Sequence, residues 1–341
     1  MTFNPFSRPI FNQSNVTRRG FLTASGCALL MAGLPRAARA QAITSAALQL
    51  SWLDSVQFAG SYIAQSRGYW RDLGLDVTLT PGGPNAPVEP PVVSGRALIG
   101  ISAADYTAAA VEQGAPFKII GVAMQKNPFV IASLPEKPIR SPKDLEGRSI
   151  GMSLSNTPVL QALCTLNNVD FNAITIVPTQ YDAAPLLAGQ VDCLLCWETD
   201  LPVAMIRRGI TPVTMLMADH GYAVHSQTYI TTEDALRDQR AEVLALLRGE
   251  LRGWGDYQAD PLAAAALTVE MFPDAGLDLE TQNLQAQKQV PLMFSDVTRD
   301  HGFGWFTDES ISANIATLGL LGRKVSADLW DRSLLEEIHA G

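Results

Sequence analysis

The chain has 341 residues, a formal net charge of −9 at pH 7 and 47% hydrophobic residues. A chain of this length can bury a large core and usually divides into two domains. Its Lys and Arg residues form no clustered stripe, which nucleic-acid binding requires, so we expect no nucleic-acid partner. After residue 40, no apolar run reaches the roughly 20 residues that span a bilayer, so we expect the mature protein to be soluble.

Residues 1–40 predict a cleavable export signal. Arg18 and Arg19 precede an apolar segment, and Ala38-Arg39-Ala40 has the small-residue pattern of a cleavage site. The adjacent arginines favour the twin-arginine (Tat) route, with an ordinary Sec signal as the alternative. Cleavage after Ala40 removes five arginines and no acid, which takes the formal charge from −9 to about −14.

After residue 40, short apolar runs alternate with helical patterns, which predicts an α/β fold with parallel strands. The first series of predicted strands is 46–52, 75–82, 97–102 and 117–125. A second series is predicted at 129–134, 148–153, 173–179 and 191–197. From about residue 234 the pattern is helical to the end of the sequence.

Two extended segments interrupt the alternation of strands and helices, near residues 130–136 and 226–232. Two such crossings predict two α/β lobes. The chain passes from lobe 1 to lobe 2 at the first crossing and returns to lobe 1 at the second. The expected division assigns residues 41–134 plus 226–341 to lobe 1 and residues 135–225 to lobe 2. A ligand cleft is then expected between the lobes.

Three cysteines remain after cleavage, and an odd number argues against a complete disulfide framework. Cys193 and Cys196 lie in a predicted strand, where three residues span roughly 10 Å and odd spacing points the thiols to opposite faces. That separation exceeds disulfide reach. The cysteines, including Cys164, are therefore expected to be small core residues rather than a redox or metal site.

The sequence contains none of the common catalytic or phosphate-binding motifs. Its four histidines include a loose pair, His220 and His225, which we expect to face solvent. We accordingly expect no metal, no cofactor and no catalytic residues.

Polar and aromatic residues stand directly after several predicted strands. Open α/β sheets bind ligands at the carboxyl ends of their strands, so these residues are candidate ligand contacts. They are Trp52, Asp54 and Gln57 after the first strand, Ser102, Asp105 and Tyr106 after the third, Ser153, Ser155 and Asn156 before a helix, and Trp197 and Glu198 after residues 191–196. Together they suit a flat ring held between aromatic faces and fixed by a few polar contacts.

Structural alternatives remain for some of these candidates. Ser155 and Asn156 are also suited to helix capping, and Trp52 to core packing. Glu198 is also suited to an exposed surface position, and its neighbour Asp200 is a weaker candidate for ligand contact.

Five segments carry a resemblance to a known family of proteins. They are LQLSWLDSVQFAGSYIAQSRGYWRDLGLDVTL, VVSGRALIGIS, QGAPFKIIGVAMQKNPFVIAS, SPKDLEGRSIGMS and AGQVDCLLCWETDLPVAMIRRG. The chain resembles ABC-importer solute-binding proteins of the thiamine-pyrimidine-synthase-like class and, more distantly, taurine- and nitrate-binding periplasmic proteins. The resemblance implies a two-lobed Venus-flytrap fold that closes over a small ligand by a hinge motion. It also implies a periplasmic monomer that delivers its ligand to an inner-membrane permease and ATPase.

The resembled family also contains an enzyme branch that makes the thiamine pyrimidine from pyridoxal phosphate. That branch has a lysine after strand three and a donor histidine four residues on, where this chain has Ser102 and Tyr106. Without the lysine, pyridoxal phosphate cannot be held as a Schiff base. Residues 221–227 stand where the branch has a cysteine-rich iron motif.

Other positions match the ligand-holding residues of the family. Trp52 matches its tryptophan after strand one and Glu198 its glutamate. Phe58, which we also expect to contact the ligand, stands where relatives often have histidine. The resemblance therefore implies a binding protein for a small, heteroaromatic ligand such as a thiamine-pyrimidine precursor. A pyrimidine synthase acting on pyridoxal phosphate is the alternative.

Overall fold

The computed structural model describes residues 43–84 and 86–340. The predicted export signal and its cleavage site lie outside these residues. In the described ranges, no helix is both long enough and apolar enough to cross a membrane.

The strands of the described chain form two five-stranded sheets, in the orders β2-β1-β3-β10-β4 and β7-β6-β8-β5-β9. Their bounds are β1 Thr44–Gln49, β2 Leu75–Thr80, β3 Ile99–Ala103, β4 Phe117–Met124, β5 Phe129–Ser133, β6 Ser149–Met152, β7 Thr175–Pro178, β8 Cys193–Trp197, β9 Val213–Leu216 and β10 Ser226–Thr232.

The first sheet combines parallel strands with one strand that returns from the second lobe. β1 pairs in parallel with β2 and β3, whereas β10 lies antiparallel between β3 and β4. β4 therefore runs in the same direction as β1, β2 and β3, and the carboxyl ends of these four strands share one edge of the sheet.

The second sheet repeats this arrangement. β6 pairs in parallel with β7 and β8, and β5 lies antiparallel between β8 and β9. β5, which we predicted as the last strand of lobe 1, therefore belongs to the second sheet. Val130, Ile131 and Ala132 are fully buried there, because β8 pairs with one edge of β5 and β9 with the other. The crossing between the sheets falls between Met124 and Phe129.

Helices cover both sheets and make up the C-terminal part of the chain. Their bounds are α1 Ala59–Ser66, α2 Tyr69–Asp72, α3 Glu89–Val93, α4 Ala104–Glu112, α5 Thr157–Leu166, α6 Ala184–Leu187, α7 Leu201–Arg207, α8 Glu233–Asp238, α9 Arg240–Ala259, α10 Pro261–Met271, α11 Leu279–Met293, α12 Asp296–His301, α13 Asp308–Leu320 and α14 Ser333–His339. The two-lobed α/β fold class predicted from the sequence is confirmed.

The prediction for Cys193 and Cys196 is confirmed. Both are free and buried in β8, and they belong to different apolar clusters. Burial raises the pKa of the Cys193 thiol to about 12, so this group stays protonated and unreactive at neutral pH.

The expectation for His225 is wrong. The ring is buried, and its Nδ1 accepts a hydrogen bond from Nε1 of Trp330 at 3.2 Å. Burial lowers the pKa of His225 to about 3, so the ring is neutral at physiological pH. The loop that contains it packs against the first lobe, which the local sequence pattern does not reveal.

Candidate functional site

The carboxyl edges of the two sheets face each other across the crossing segments. Ser226 at the start of β10 pairs with both Ala103 and Met124, at the carboxyl ends of β3 and β4. Phe129, five residues after the end of β4, pairs with Trp197 at the carboxyl end of β8. Loops that follow the parallel strands of both sheets therefore meet in one cleft, the usual location for a ligand in open α/β sheets.

Large apolar side chains are exposed at these strand ends in both lobes. Trp52 is 43% exposed and Leu53 56% exposed after β1, and Tyr106 is 67% exposed after β3. In the second lobe, Leu154 is 59% exposed after β6 and Tyr181 55% exposed after β7. These exposed side chains at the strand ends are therefore candidate ligand contacts.

Two hydrogen bonds anchor the segment after β1, which exposes Trp52. Its backbone is held at Val56, whose N–H donates to Oε1 of Gln282 on α11 at 2.7 Å. Asp54 accepts a hydrogen bond from the hydroxyl of Tyr62 at 3.0 Å. Gln57 is half-buried, whereas Phe58 is fully buried in the apolar core. The geometry therefore favours Trp52 over Phe58 as a ligand contact, because a ring inside the core cannot reach the cleft.

The end of β3 and the adjoining helices α3 and α4 carry carboxylates as well as an exposed ring. Ser102 is buried, and its hydroxyl donates to Glu89, a residue at the start of α3 that the sequence analysis did not single out. Asp105 is half-buried in the first turn of α4, and burial raises the pKa of its carboxyl. Tyr106 follows it and is largely exposed.

The residues after β6 do not act as helix caps. Ser153 and Ser155 are exposed, with their hydroxyl oxygens 2.9 Å apart, and Asn156 is half-buried. Neither Ser153 nor Asn156 makes a side-chain capping hydrogen bond to the helical turns that follow them. Their polar groups are therefore not committed to capping and lie at the cleft edge of lobe 2.

Tyr181 and Asp200 form a hydrogen-bonded pair beside Trp197. The Tyr181 hydroxyl donates to Oδ2 of Asp200 at 2.9 Å and accepts from the backbone N–H of Trp197 at 3.3 Å. Burial raises the pKa of Asp200 to about 6, and the hydrogen bond from Tyr181 partly opposes this. The sequence analysis missed Tyr181, because it lies in an irregular loop after a short strand. The only available signal was an aromatic residue three positions after β7.

Glu198 is paired with a cation of the other lobe. Its carboxylate forms an ion pair with Nζ of Lys288 on α11, and the two side chains are 12% and 32% exposed. Arg207 of lobe 2 also pairs with the start of α11, and Lys126 in the crossing segment pairs with Asp219 at 2.7 Å. Glu198, predicted as a ligand contact, therefore already has a partner in this conformation and connects the two lobes.

We expect the Lys288→Gln variant to lower the free energy of unfolding by about 1 kcal/mol, because it leaves Glu198 unpaired in a poorly solvated position. The double variant with Glu198→Gln should recover part of this loss, since no unpaired charge remains. Urea unfolding of the three proteins measures both effects. Arg299→Gln is the control, because the exposed Arg299 pairs with Asp296 and Asp300 on its own helix. Equal losses for Lys288→Gln and Arg299→Gln would contradict this role for the interlobe pair.

Two lobes that alternate strands and helices, joined at facing carboxyl edges, define the periplasmic-binding-protein fold. The aliphatic sulphonate binding protein SsuA from Escherichia coli is similar in structure, with a TM-score of 0.64 at 15% identity over 82% of this chain and 86% of that one. At this identity the similarity shows the fold.

Residues 55–264 match the family described as NMT1/THI5 like, and the chain belongs to this family. The riboflavin-binding protein RibY of Chloroflexus aurantiacus is 26% identical over 269 residues, which cover 76% of this chain and 75% of the relative. The formylaminopyrimidine-binding protein of Halalkalibacterium halodurans is 20% identical over 220 residues, covering 63% and 66%. The resemblance found in the sequence is thus confirmed.

Proposed function

We propose that the chain is the solute-binding component of an ABC importer and captures a small, flat heteroaromatic ligand between its lobes. The observation that carries this proposal is the set of exposed rings at the facing strand ends, Trp52 and Tyr106 in lobe 1 and Tyr181 in lobe 2. Such rings offer broad stacking faces, and adjacent polar groups fix the orientation of the ligand.

Binding works by closure of the lobes on the two crossing segments. Trp52 and Tyr181 belong to different lobes, so a ring that contacts both favours the closed arrangement over the open one. The closed protein then delivers its ligand to an inner-membrane permease and ATPase. After export it acts in the periplasm as a monomer.

The relatives support a nitrogen heterocycle as the ligand. One is named for riboflavin and the other for formylaminopyrimidine, and both are named as binding proteins rather than enzymes. Ser102 and Tyr106 stand where the synthase branch has its lysine and histidine, and the Ser102 hydroxyl is bonded to Glu89. We therefore assign no enzymatic activity to the chain.

The test is a thermal-unfolding screen of the mature protein with riboflavin, formylaminopyrimidine, related aminopyrimidines and aliphatic sulfonates. A ligand that binds only the folded state stabilises it by about 2.7 kcal/mol at 100 times its Kd, so one heterocycle should raise Tm by several degrees. No shift with any compound at millimolar concentration would contradict the proposal. Mass spectrometry of compounds that co-purify with the protein provides an independent measurement.

A further inference from the structure

We propose that the cleft selects flat ring compounds that are uncharged or cationic and carry N–H donors, and that it rejects compounds with a phosphate or sulfonate group. This inference rests on the proposed function and specifies the chemical class of its ligand. The fold and the exposed rings define the cleft, and the charged groups around it define which ligands it accepts.

Carboxylates without a cationic partner lie on both sides of the cleft. Asp54, Glu89 and Asp105 follow or flank the strand ends of lobe 1, and Asp200 follows β8 in lobe 2. Across residues 43–84 and 86–340, no Lys, Arg or His nitrogen lies within 4 Å of these four carboxylates. Their hydrogen-bond partners include the neutral hydroxyls of Tyr62, Ser102 and Tyr181. Carboxylate oxygens accept hydrogen bonds, so these groups favour a ligand that donates.

The cations at the contacts between the lobes and at the crossing segment are already paired with carboxylates. Lys288 is paired with Glu198, and Lys126 with Asp219. Arg207 contacts both Asp278 and Glu280 at the start of α11. A sulfonate or phosphate would have to displace one of these carboxylates to gain a charge-assisted hydrogen bond.

The helix N-termini at the cleft are also poorly suited to anions. α5, α6 and α7 follow the parallel strands of lobe 2, and each has a proline among its first two residues. Proline removes an N–H that could bind an anion, and Asp200 stands at the N-cap of α7. In lobe 1, the Asp105 carboxylate occupies the first turn of α4 and compensates the helix dipole there. The backbone N–H groups at these helix N-termini therefore do not substitute for an unpaired Lys or Arg side chain in binding an anion.

The experiment compares matched ligands by isothermal titration calorimetry on the mature protein. The pairs are riboflavin with riboflavin 5′-phosphate and hydroxymethyl-aminopyrimidine with its phosphate ester, and taurine represents the sulfonates. We expect the better-binding uncharged compound to bind at least 10-fold more tightly than its phosphate, and taurine not to bind. Asp200→Asn should weaken the uncharged compound by roughly 10-fold and reduce the discrimination against its phosphate, because it removes one repulsive charge.

Asp274→Asn is the matched control, since Asp274 is exposed on the loop before α11 and its loss changes the net charge equally. It should change neither affinity nor discrimination, and far-UV circular dichroism should show that both variants are folded. Binding of a phosphate or of taurine as tight as that of the uncharged rings overturns the inference and leaves the proposed importer function intact. A protein that binds none of the five compounds contradicts the proposed ligand and this inference together.

Discussion

Replacing Trp52 by Ala is expected to weaken binding of the heterocycle found in the screen by roughly 10- to 100-fold. The substitution removes one stacking face, which is worth about 1–3 kcal/mol of binding free energy. The free energy of unfolding of the ligand-free protein should change by less than about 1 kcal/mol, because the side chain is 43% exposed in the cleft. Calorimetry and urea unfolding on the same preparations measure the two quantities.

The matched control for Trp52 is Phe58, six residues later in the same segment and fully buried. Phe58→Ala should lower the free energy of unfolding by about 3–5 kcal/mol, as large-to-small substitutions in a core do. If Trp52→Ala behaved in the same way and left the affinity unchanged, its ring would be part of the core. The stacking role proposed for the cleft would then be wrong.

Replacing Glu250 by Ala is expected to lower the free energy of unfolding by about 3–5 kcal/mol. Its Oε1 atom accepts hydrogen bonds from Ser61 at 2.9 Å, Tyr229 at 3.1 Å and Nε1 of Trp254 at 2.9 Å, all in the core of lobe 1. The Ala variant leaves three buried donors without a partner and creates a cavity. Glu250→Gln keeps the shape of the side chain and one oxygen acceptor. It should therefore lower the free energy of unfolding at pH 5 by less than Glu250→Ala does.

The same carboxyl makes stability depend on pH. Burial raises the pKa of Glu250 to about 7, against which the three hydrogen bonds act only partly. Between the ordinary value of 4.5 and about 7, the folded state binds more protons than the unfolded state. Stability from this group is therefore fully present below pH 4.5 and is lost as pH rises through 7, by about 3 kcal/mol.

Urea unfolding of the wild type and Glu250→Gln from pH 5 to pH 8 measures this effect. The difference in free energy of unfolding between the two proteins should shrink or reverse as pH rises, because the wild type loses stability and Gln does not titrate. Burial raises the pKa of Asp200 to about 6, so this group also makes the free energy of unfolding fall as pH rises, at lower pH than Glu250. Asp200 is present in both proteins, so its effect cancels in the difference between them. Parallel pH profiles for the two proteins would show that Glu250 is ionised in the folded state throughout this range.

The strand predictions show which features local patterns determine. β2, β3, β4, β6, β7 and β8 fall within their predicted ranges or within about one residue of them, because buried parallel strands are continuous apolar runs between turns. β1 was predicted at 46–52 but begins two residues and ends three residues earlier, at Thr44–Gln49. β9, at Val213–Leu216, was missed because four residues give too short a pattern to separate from a loop. β5 was found as a strand but assigned to the wrong sheet, since strand pairing depends on residues distant in the sequence.

Local sequence patterns are enough to predict the α/β class, the two lobes and the strand ends beside which Trp52, Asp105 and Tyr106 lie. These features follow from periodicity and from the direction of parallel strands. The pairing of Glu198 with Lys288, 90 residues away, and of Tyr181 with Asp200, 19 residues away, is visible only in the folded structure. Such pairs depend on how the lobes and loops approach each other in space, because charge and hydrogen bonding act over a few ångströms whatever the separation along the chain.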